Sequence, residues 1–406
     1  MERRVVITGL GIWSCLGTNL DEVRQSLYSG KSGIIFSQAR KDAGFRSALC
    51  ADVPKADLKK YLSRDLRKLM PEEAQYGYLA TIQAMEHAKL DQDFLDQNEV
   101  GVIYGNDSVA EATMQALDKF RQAGSTAACG SGAIFQSMNS TVTMNLATLL
   151  HLRGINLTAS AACASGSHSV GLGYLLIKDG LQDCIICGGA QEANMFSVAS
   201  FDGLMAFSTR EDEPTKASRP FDRDRDGLIP GGGAATLVLE SYEHAVKRDA
   251  PILAEIVGWG FSGNGDHIST PNVAGPTRSL ELCLKNGGIN PRDIGYINAH
   301  ATSTHAGDGR EALAIANIFG DYRVPVTSTK SQTGHEMWMA GASELIYSLL
   351  MMKNDFIADS LNFENPDDDT ACINVIPETR EAHFDMFLSN SFGFGGTNSS
   401  LIIKNL

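Results

Sequence analysis

At 406 residues, with 43% hydrophobic and 20% charged side chains and 40 glycines, the chain has the make-up of an ordered, glycine-rich α/β protein. Its net charge of −14 disfavours nucleic acid and anionic membrane as non-specific partners. No apolar stretch is long enough to span a bilayer or act as a signal region, so a cytoplasmic setting is expected, and the eight scattered cysteines read as free thiols.

The length allows about two or three domains, or one large duplicated one. Arg4 to Trp13 is a buried-type strand expected to run into a glycine turn. Gly9 and Gly11 invite a dinucleotide reading, but position 14 is Ser where the third glycine belongs, and the reading fails. Asn19 to Ser29 looks helical. Asp57 to Leu69 gathers Lys59, Lys60, Arg64, Arg67 and Lys68, which is either a solvated helix face or a docking patch for an acidic partner. Pro71 to Leu90 reads as an amphipathic helix, Val100 to Gly105 as a strand, Asn106 to Ser108 as a turn and Ser137 to Leu150 as a helical segment.

An apolar run from Ile155 to Ala159 then breaks into small residues around Cys163 and continues as a helix closed by Gly180. A cysteine at such a strand-to-helix turn has amide N–H groups aimed at it, and the positive end of the helix favours its thiolate. A buried structural cysteine is the competing reading. Asp183 to Gly189 is a further buried strand. Its Cys184 and Cys187 are an odd number of residues apart, so they face opposite ways and make no half zinc site. Asp222, Asp224, Asp226 and Gly227 imitate half an EF-hand, but Gly233 stands where the closing Glu belongs; a salt-bridged turn is the better reading.

Near Pro251 the pattern starts again. Ile252 to Phe261 echoes the first strand, which suggests a duplicated α/β unit with halves 1–250 and 251–406. Strands follow at Ile294–Asn298, Val324–Ser328 and Met386–Ser389, with helices between them. His300 lies where the first of these gives way to a loop holding Thr302 and Thr304, and Lys330 and His335 follow the second. Loops at the ends of parallel strands are where open α/β sheets build sites. Three glycines, Gly393, Gly395 and Gly396, surround Phe394 just before the final strand. They make either a plain hairpin turn or a loop that sets a backbone N–H opposite Cys163.

Cys163 in Ala161-Ala162-Cys163-Ala164-Ser165-Gly166, His300 in Asn298-Ala299-His300, Lys330, His335 after Gly334, and the tail Asn390 to Asn398 together resemble a β-ketoacyl-[acyl-carrier-protein] synthase of the type I/II elongating class. The resemblance implies a thiolase-like fold of two βαβαβαββ halves in five layers. It implies an acyltransferase in which Cys163 carries the acyl chain and His300 and His335 stabilise the malonyl enolate. Phe394 with Cys163 would form an oxyanion hole, Phe392, Gly393 and Phe394 would gate the acyl pocket, and Glu344 would pair with Lys330. No cofactor is implied beyond the phosphopantetheine of acyl carrier protein, which would dock at Arg64, Arg67 and Lys68. No catalytic metal is implied, although a structural monovalent cation near Asn298, Glu311 and Glu344 is. A homodimer is implied, or a heterodimer with a chain-length-factor homologue.

The chain departs from that pattern at a few places. Trp338 and Met339 stand where Gly and Ala are usual, Ala301 replaces Gly, His305 replaces Pro, and Asn106 to Ser108 replace a glycine-rich turn. A reshaped acyl channel follows. Fatty-acid elongation is the first functional reading, a dedicated synthase for polyene, aryl-polyene or polyketide-type chains the alternative, and a non-catalytic partner subunit the third.

Overall fold

The computed structural model describes residues 3–406; Met1 and Glu2 lie outside them. The main strands are β1 (Val5–Trp13), β2 (Val100–Gly105), β3 (Asn156–Ala159), β4 (Cys184–Gln191), β5 (Gly233–Ser241), β6 (Ala254–Gly263), β7 (Tyr296–Asn298), β8 (Pro325–Thr327), β9 (Asn374–Val375), β10 (Met386–Gly393) and β11 (Thr397–Asn405). They join in one mixed sheet, in the order β9-β8-β7-β10-β11-β6-β1-β5-β4-β2-β3. The helices used below are α1 (Leu20–Tyr28), α2 (Arg64–Arg67), α3 (Glu72–His87), α4 (Ala110–Ala123), α5 (Ala133–Ser137), α6 (Thr141–Leu149), α7 (Ser165–Lys178), α8 (Ala274–Gly287), α9 (His305–Phe319) and α10 (Ala340–Lys353).

The order repeats. From β1 outward, β5 and β4 pair antiparallel and β2 and β3 parallel; from β6 outward, β11 and β10 pair antiparallel and β7 and β8 parallel. The two halves meet where Val5, Val6 and Ile7 of β1 pair with Ile256, Glu255 and Ala254 of β6. One core lies between the halves, where α7 and α10 pack on inner faces carrying Ile7, Leu237, Trp259 and Leu401. α3 and α6 cover the outer face of the first half, and α8 and α9 that of the second. The result is the five-layer thiolase-like arrangement. α10 is buried from Ala340 to Met352, as a helix packed between the two halves of the sheet must be, and its apolar residues accordingly run all round.

Several sequence expectations change in detail. β1 does not turn at its glycines but runs through them to Trp13. A Cβ at Gly9 or Gly11 would land on the carbonyl oxygen of Ala84 or Ala80, so the glycines let α3 lie close on the strand. That is a tertiary demand no local pattern announces. The basic stretch 57–69 holds only the one-turn α2, and the region before 137 contains α4 and α5, which the sequence reading passed over. The Asp222 turn is salt-bridged as expected: Arg219 pairs with Asp222, and Arg225 with Asp308 and Asp367. Cys184 and Cys187 enter the cores on opposite faces of β4. Among the described residues, no helix is long and apolar enough to cross a membrane.

Candidate active site

Cys163 sits in the elbow between β3 and α7. Ala162 is held at φ +46°, a left-handed conformation costly for alanine, and three contacts stabilise it. Asp107 Oδ2 accepts the Ala162 N–H at 3.1 Å, and Ser165 Oγ accepts the Ala161 N–H at 2.9 Å while donating to the Ala162 carbonyl at 2.6 Å. A Cβ on Gly393 would stand 3.1 Å from the Cys163 nitrogen, a tight contact that glycine avoids where the β10–β11 hairpin comes near. The approach brings the N–H of Phe394 onto the Cys163 sulfur beside Cys163's own N–H. The glycine segment is therefore both a hairpin turn and a donor.

His300 and His335 arrive from the ends of β7 and β8. One donor atom each from Cys163, His300 and His335 lies within 4.8 Å of the others, and the two rings stand edge to face, 5.3 Å apart. Met337, at φ +48°, turns its N–H onto His335 Nδ1 at 3.3 Å, which leaves the proton on Nε2, a buried atom with no partner among the described residues. His300 is oriented through its backbone: Glu311 accepts the N–H groups of His300 and Ala301 at 2.9 and 2.7 Å, and Asn390 Nδ2 donates to the same carboxylate at 3.0 Å. Lys330 pairs with Glu344, both fully buried. Burial first, and then the Lys330 charge, hold both histidines well below the ordinary imidazole range, so both are neutral at pH 7.

The thiol does not rest as the thiolate the helix terminus alone would favour. Burial pushes Cys163 up to about 12, against the pull of Lys330 and of the two N–H groups. Alkylation of Cys163 by iodoacetamide, followed by peptide mapping, is thus expected to be slow at pH 7 and to rise about tenfold per pH unit to pH 9. A plateau below pH 7.5 would show a resting thiolate instead.

A cavity of about 390 Å³ opens onto Cys163, His300 and His335 and is lined by Thr302, Thr304 and Phe392 through Phe394. The Thr302 and Thr304 hydroxyls are 3.2 Å apart, and the Phe392 ring lies 6.1 Å from that of His300. Arg64, Arg67 and Lys68 do not line this cavity. They border a separate groove with Lys55 and Lys59, and Lys68 is paired with Asp65 at 3.2 Å. Of the three groups named for a monovalent cation, Asn298 Oδ1 and Glu344 Oε2 are buried without partners among the described residues and fit one. The Glu311 carboxylate accepts three N–H donors, two on Oε1 and one on Oε2.

Sequence reading missed the orienting roles of Asp107, Ser165, Asn390 and Glu311 within this centre. It also gave no role to Glu336, whose buried carboxyl accepts from Ser343 and Tyr347 and is pushed up to about 7 by burial. The only local signal was its place beside His335.

The cysteine in its elbow, faced by two neutral imidazoles and converging main-chain donors, stands on a duplicated five-layer fold of the thiolase-like class. The chain belongs to the β-ketoacyl synthase family: residues 2–245 match its N-terminal domain and residues 253–364 its C-terminal domain. It is 41% identical to the 3-oxoacyl-[acyl-carrier-protein] synthase 1 of Haemophilus influenzae, over 99% of both chains. The crystal structure of a β-ketoacyl synthase from Burkholderia phymatum superposes over all of both chains with a TM-score of 0.96 at 36% identity. The ishigamide ketosynthase/chain length factor superposes over all of both chains with a TM-score of 0.91 at 30% identity.

Proposed function

We propose that this chain joins malonyl-[acyl-carrier-protein] to an acyl chain held as a thioester on Cys163, releasing CO₂ and a 3-oxoacyl product in the cytoplasm. The observation that carries the reading is the convergence of Cys163, His300 and His335 within 4.8 Å. In the first half-reaction the sulfur attacks the acyl thioester, the carbon–sulfur bond to pantetheine breaks, and the leaving thiolate takes the proton of the Cys163 thiol. The N–H groups of Cys163 and Phe394 hold the tetrahedral oxyanion. In the second, the malonyl carboxylate leaves as CO₂ and its electron pair passes to the thioester enolate. N–H groups of His300 and His335 stabilise that enolate oxygen, because neutral imidazoles donate without adding a positive charge. The enolate carbon attacks the acyl carbonyl and expels Cys163. Lys330, fixed by Glu344, keeps the histidines neutral; Thr302 and Thr304 hold the pantetheine, and Phe392, Gly393 and Phe394 gate the acyl side. A monovalent cation, if bound, would be held by Asn298 Oδ1 and Glu344 Oε2 and would offset the carboxylate charge.

Incubation with acyl and malonyl carriers, read by mass spectrometry for acyl-Cys163 and 3-oxoacyl product, tests this. Product without any acyl-Cys163 would sink it. Elongation of fatty acyl chains is the first use of such chemistry. The bulk of Trp338 beside the nucleophile favours a second, the extension of unsaturated or aryl chains. A purely non-catalytic role has nothing to support it while Cys163 and both histidines are present.

We further propose that acyl carrier protein docks at Arg64, Arg67 and Lys68. Their reversal to Glu is expected to raise the KM for acyl carrier about tenfold at low salt and flatten its salt dependence, leaving turnover of a free pantetheine thioester unchanged. A dimer is proposed from one face: Met114, Leu117 and Phe120 on α4, Ile134 and Phe135 on α5, and Leu157 on the edge strand β3 are all exposed. A second copy or a chain-length-factor homologue fits there, and light scattering tells a dimer from a lone chain.

A further inference from the structure

We propose that Glu336 is a positioning residue for the decarboxylation step and works as a neutral carboxylic acid, tying the His335 turn to α10 with its proton while keeping negative charge away from the enolate. The inference rests on the condensation reading and gives a role to a residue that its mechanism leaves idle.

The hydroxyl protons around Glu336 point to its neutral form. Ser343 Oγ lies within hydrogen-bond reach of both Glu336 Oε2 and the Ala340 carbonyl oxygen, the latter at 3.0 Å. A hydroxyl has a single proton to give, and a carbonyl oxygen can only accept. Serines on helices give that proton to a carbonyl about one turn back. With the Ser343 proton on Ala340, the contact between Ser343 and Glu336 is made by a proton on the carboxyl. The other carboxyl oxygen fits the same direction: Tyr347 donates to Glu336 Oε1 at 2.8 Å, and Ser14 donates to the Tyr347 oxygen. The chain then runs head to tail from Ser14 through Tyr347, Glu336 and Ser343 to Ala340, with every proton placed. Bonds in such a chain strengthen one another. Glu311 is the contrast, since its three partners are N–H groups, which cannot take a proton and so suit a carboxylate.

The second observation is where the acid stands. Glu336 follows His335, and its carbonyl accepts the Met339 N–H at 3.1 Å, closing the turn whose Met337 N–H orients His335 Nδ1. Its buried carboxyl joins that turn to Ser343 and Tyr347 of α10. The titratable groups facing it are Lys330, Glu344 and Tyr347 of α10, and Cys15 beyond the end of β1. Burial holds Tyr347 and Cys15 well above their ordinary ranges, so both stay neutral, and it pushes Glu336 up to about 7 against Ser343, Tyr347 and Lys330. Lys330 pairs with Glu344, and its charge also acts on His300 and His335. An ionised Glu336 would compete for that ammonium. It would also add a negative charge beside His335 as the enolate forms, in a site where water screens little.

The test is the rate of CO₂ release from saturating malonyl-[acyl-carrier-protein] between pH 6 and 8.5. The wild-type rate is expected to fall about tenfold over that range as Glu336 ionises, in kcat rather than KM. Glu336→Gln has the shape of the neutral acid and an amide that donates to Ser343, so its rate should hold level to pH 8.5. A role in packing alone would instead lower the variant's rate by one factor at every pH. Tyr347→Phe removes a donor that favours the carboxylate, and should move the fall to higher pH. A level wild-type profile, which needs no variant, would overturn the inference and leave the condensation reading intact. So would a folded Glu336→Gln protein that keeps the wild-type fall or, should that variant not fold, a Tyr347→Phe profile that stays in place. A wild type that releases no CO₂ at any pH overturns the condensation reading, and the inference with it.

Discussion

Cys163→Ala is expected to abolish acyl-enzyme formation and to lower 3-oxoacyl product by at least ~10⁴-fold, because no other group near the cavity can hold the chain as a thioester. Decarboxylation of malonyl carrier should persist. In the proposed mechanism that step uses the donors of His300 and His335 and the charge of Lys330, whose orienting contacts run to Met337, Glu311 and Glu344 rather than to the sulfur. The two half-reactions are separated by measuring CO₂ release and product together. Loss of both would mean that Cys163 also orders the histidines. Full product from a complex built with the Ala variant would move the chemistry to another subunit.

Lys330→Met should produce the largest loss of stability among substitutions in the centre. The ammonium is buried among three carboxyls, Glu311, Glu336 and Glu344, which burial pushes up to about 7, 7 and 8 even though Lys330 draws each of them down. Breaking a buried pair by removing one partner costs ~3–5 kcal/mol. The sign with pH follows from the carboxyls. Each is raised above its unfolded value of 4.5, so ionising it costs more in the fold than in the open chain, and stability is fullest at low pH and falls as pH rises towards 7 or 8. Without Lys330 the three titrate higher still. The variant should therefore lose much more melting temperature at pH 8 than at pH 5.5. An equal loss at both would show that packing of the lysine stem, not its charge, holds the site together. Activity should fall about 10²-fold, as the imidazoles lose the charge that steadies their neutral form.

The residues that the fold gathers at the cavity were legible because each stands at a punctuation mark. Cys163 lies in a run of small residues after an apolar strand, His300 and His335 follow strand ends, and Phe394 sits among glycines. What escaped was whatever depends on a partner far along the chain. Glu311 looks in sequence like an ordinary helix charge, and only folding shows it gripping the His300 backbone; the pairing of Glu344 with Lys330 was expected only through the family resemblance. Asp107 takes the place of a glycine in a turn, and nothing near it indicates that it caps the elbow 55 residues later. The thiol was misjudged for the same reason: helix polarity is local and readable, whereas burial, the larger effect, is global. Gly9 and Gly11 misled because their purpose is the passage of α3, which lies elsewhere in sequence. The ordered halves, by contrast, announced themselves through the echo of β1 in β6.

That repetition has a mechanical corollary. The strands before Cys163 and before His335, β3 and β8, hold equivalent places in the two halves, so these residues meet across a seam between two copies of one design. Neither copy contains a complete set of tools. The distance from Cys163 to the two histidines is therefore set by how the copies are bolted together, at the β1–β6 pairing and the α7–α10 contact. Gly341 is such a bolt: a methyl group there would strike the Ser167 nitrogen. A change at this point touches no reacting atom, yet it would pry the two tool sets apart.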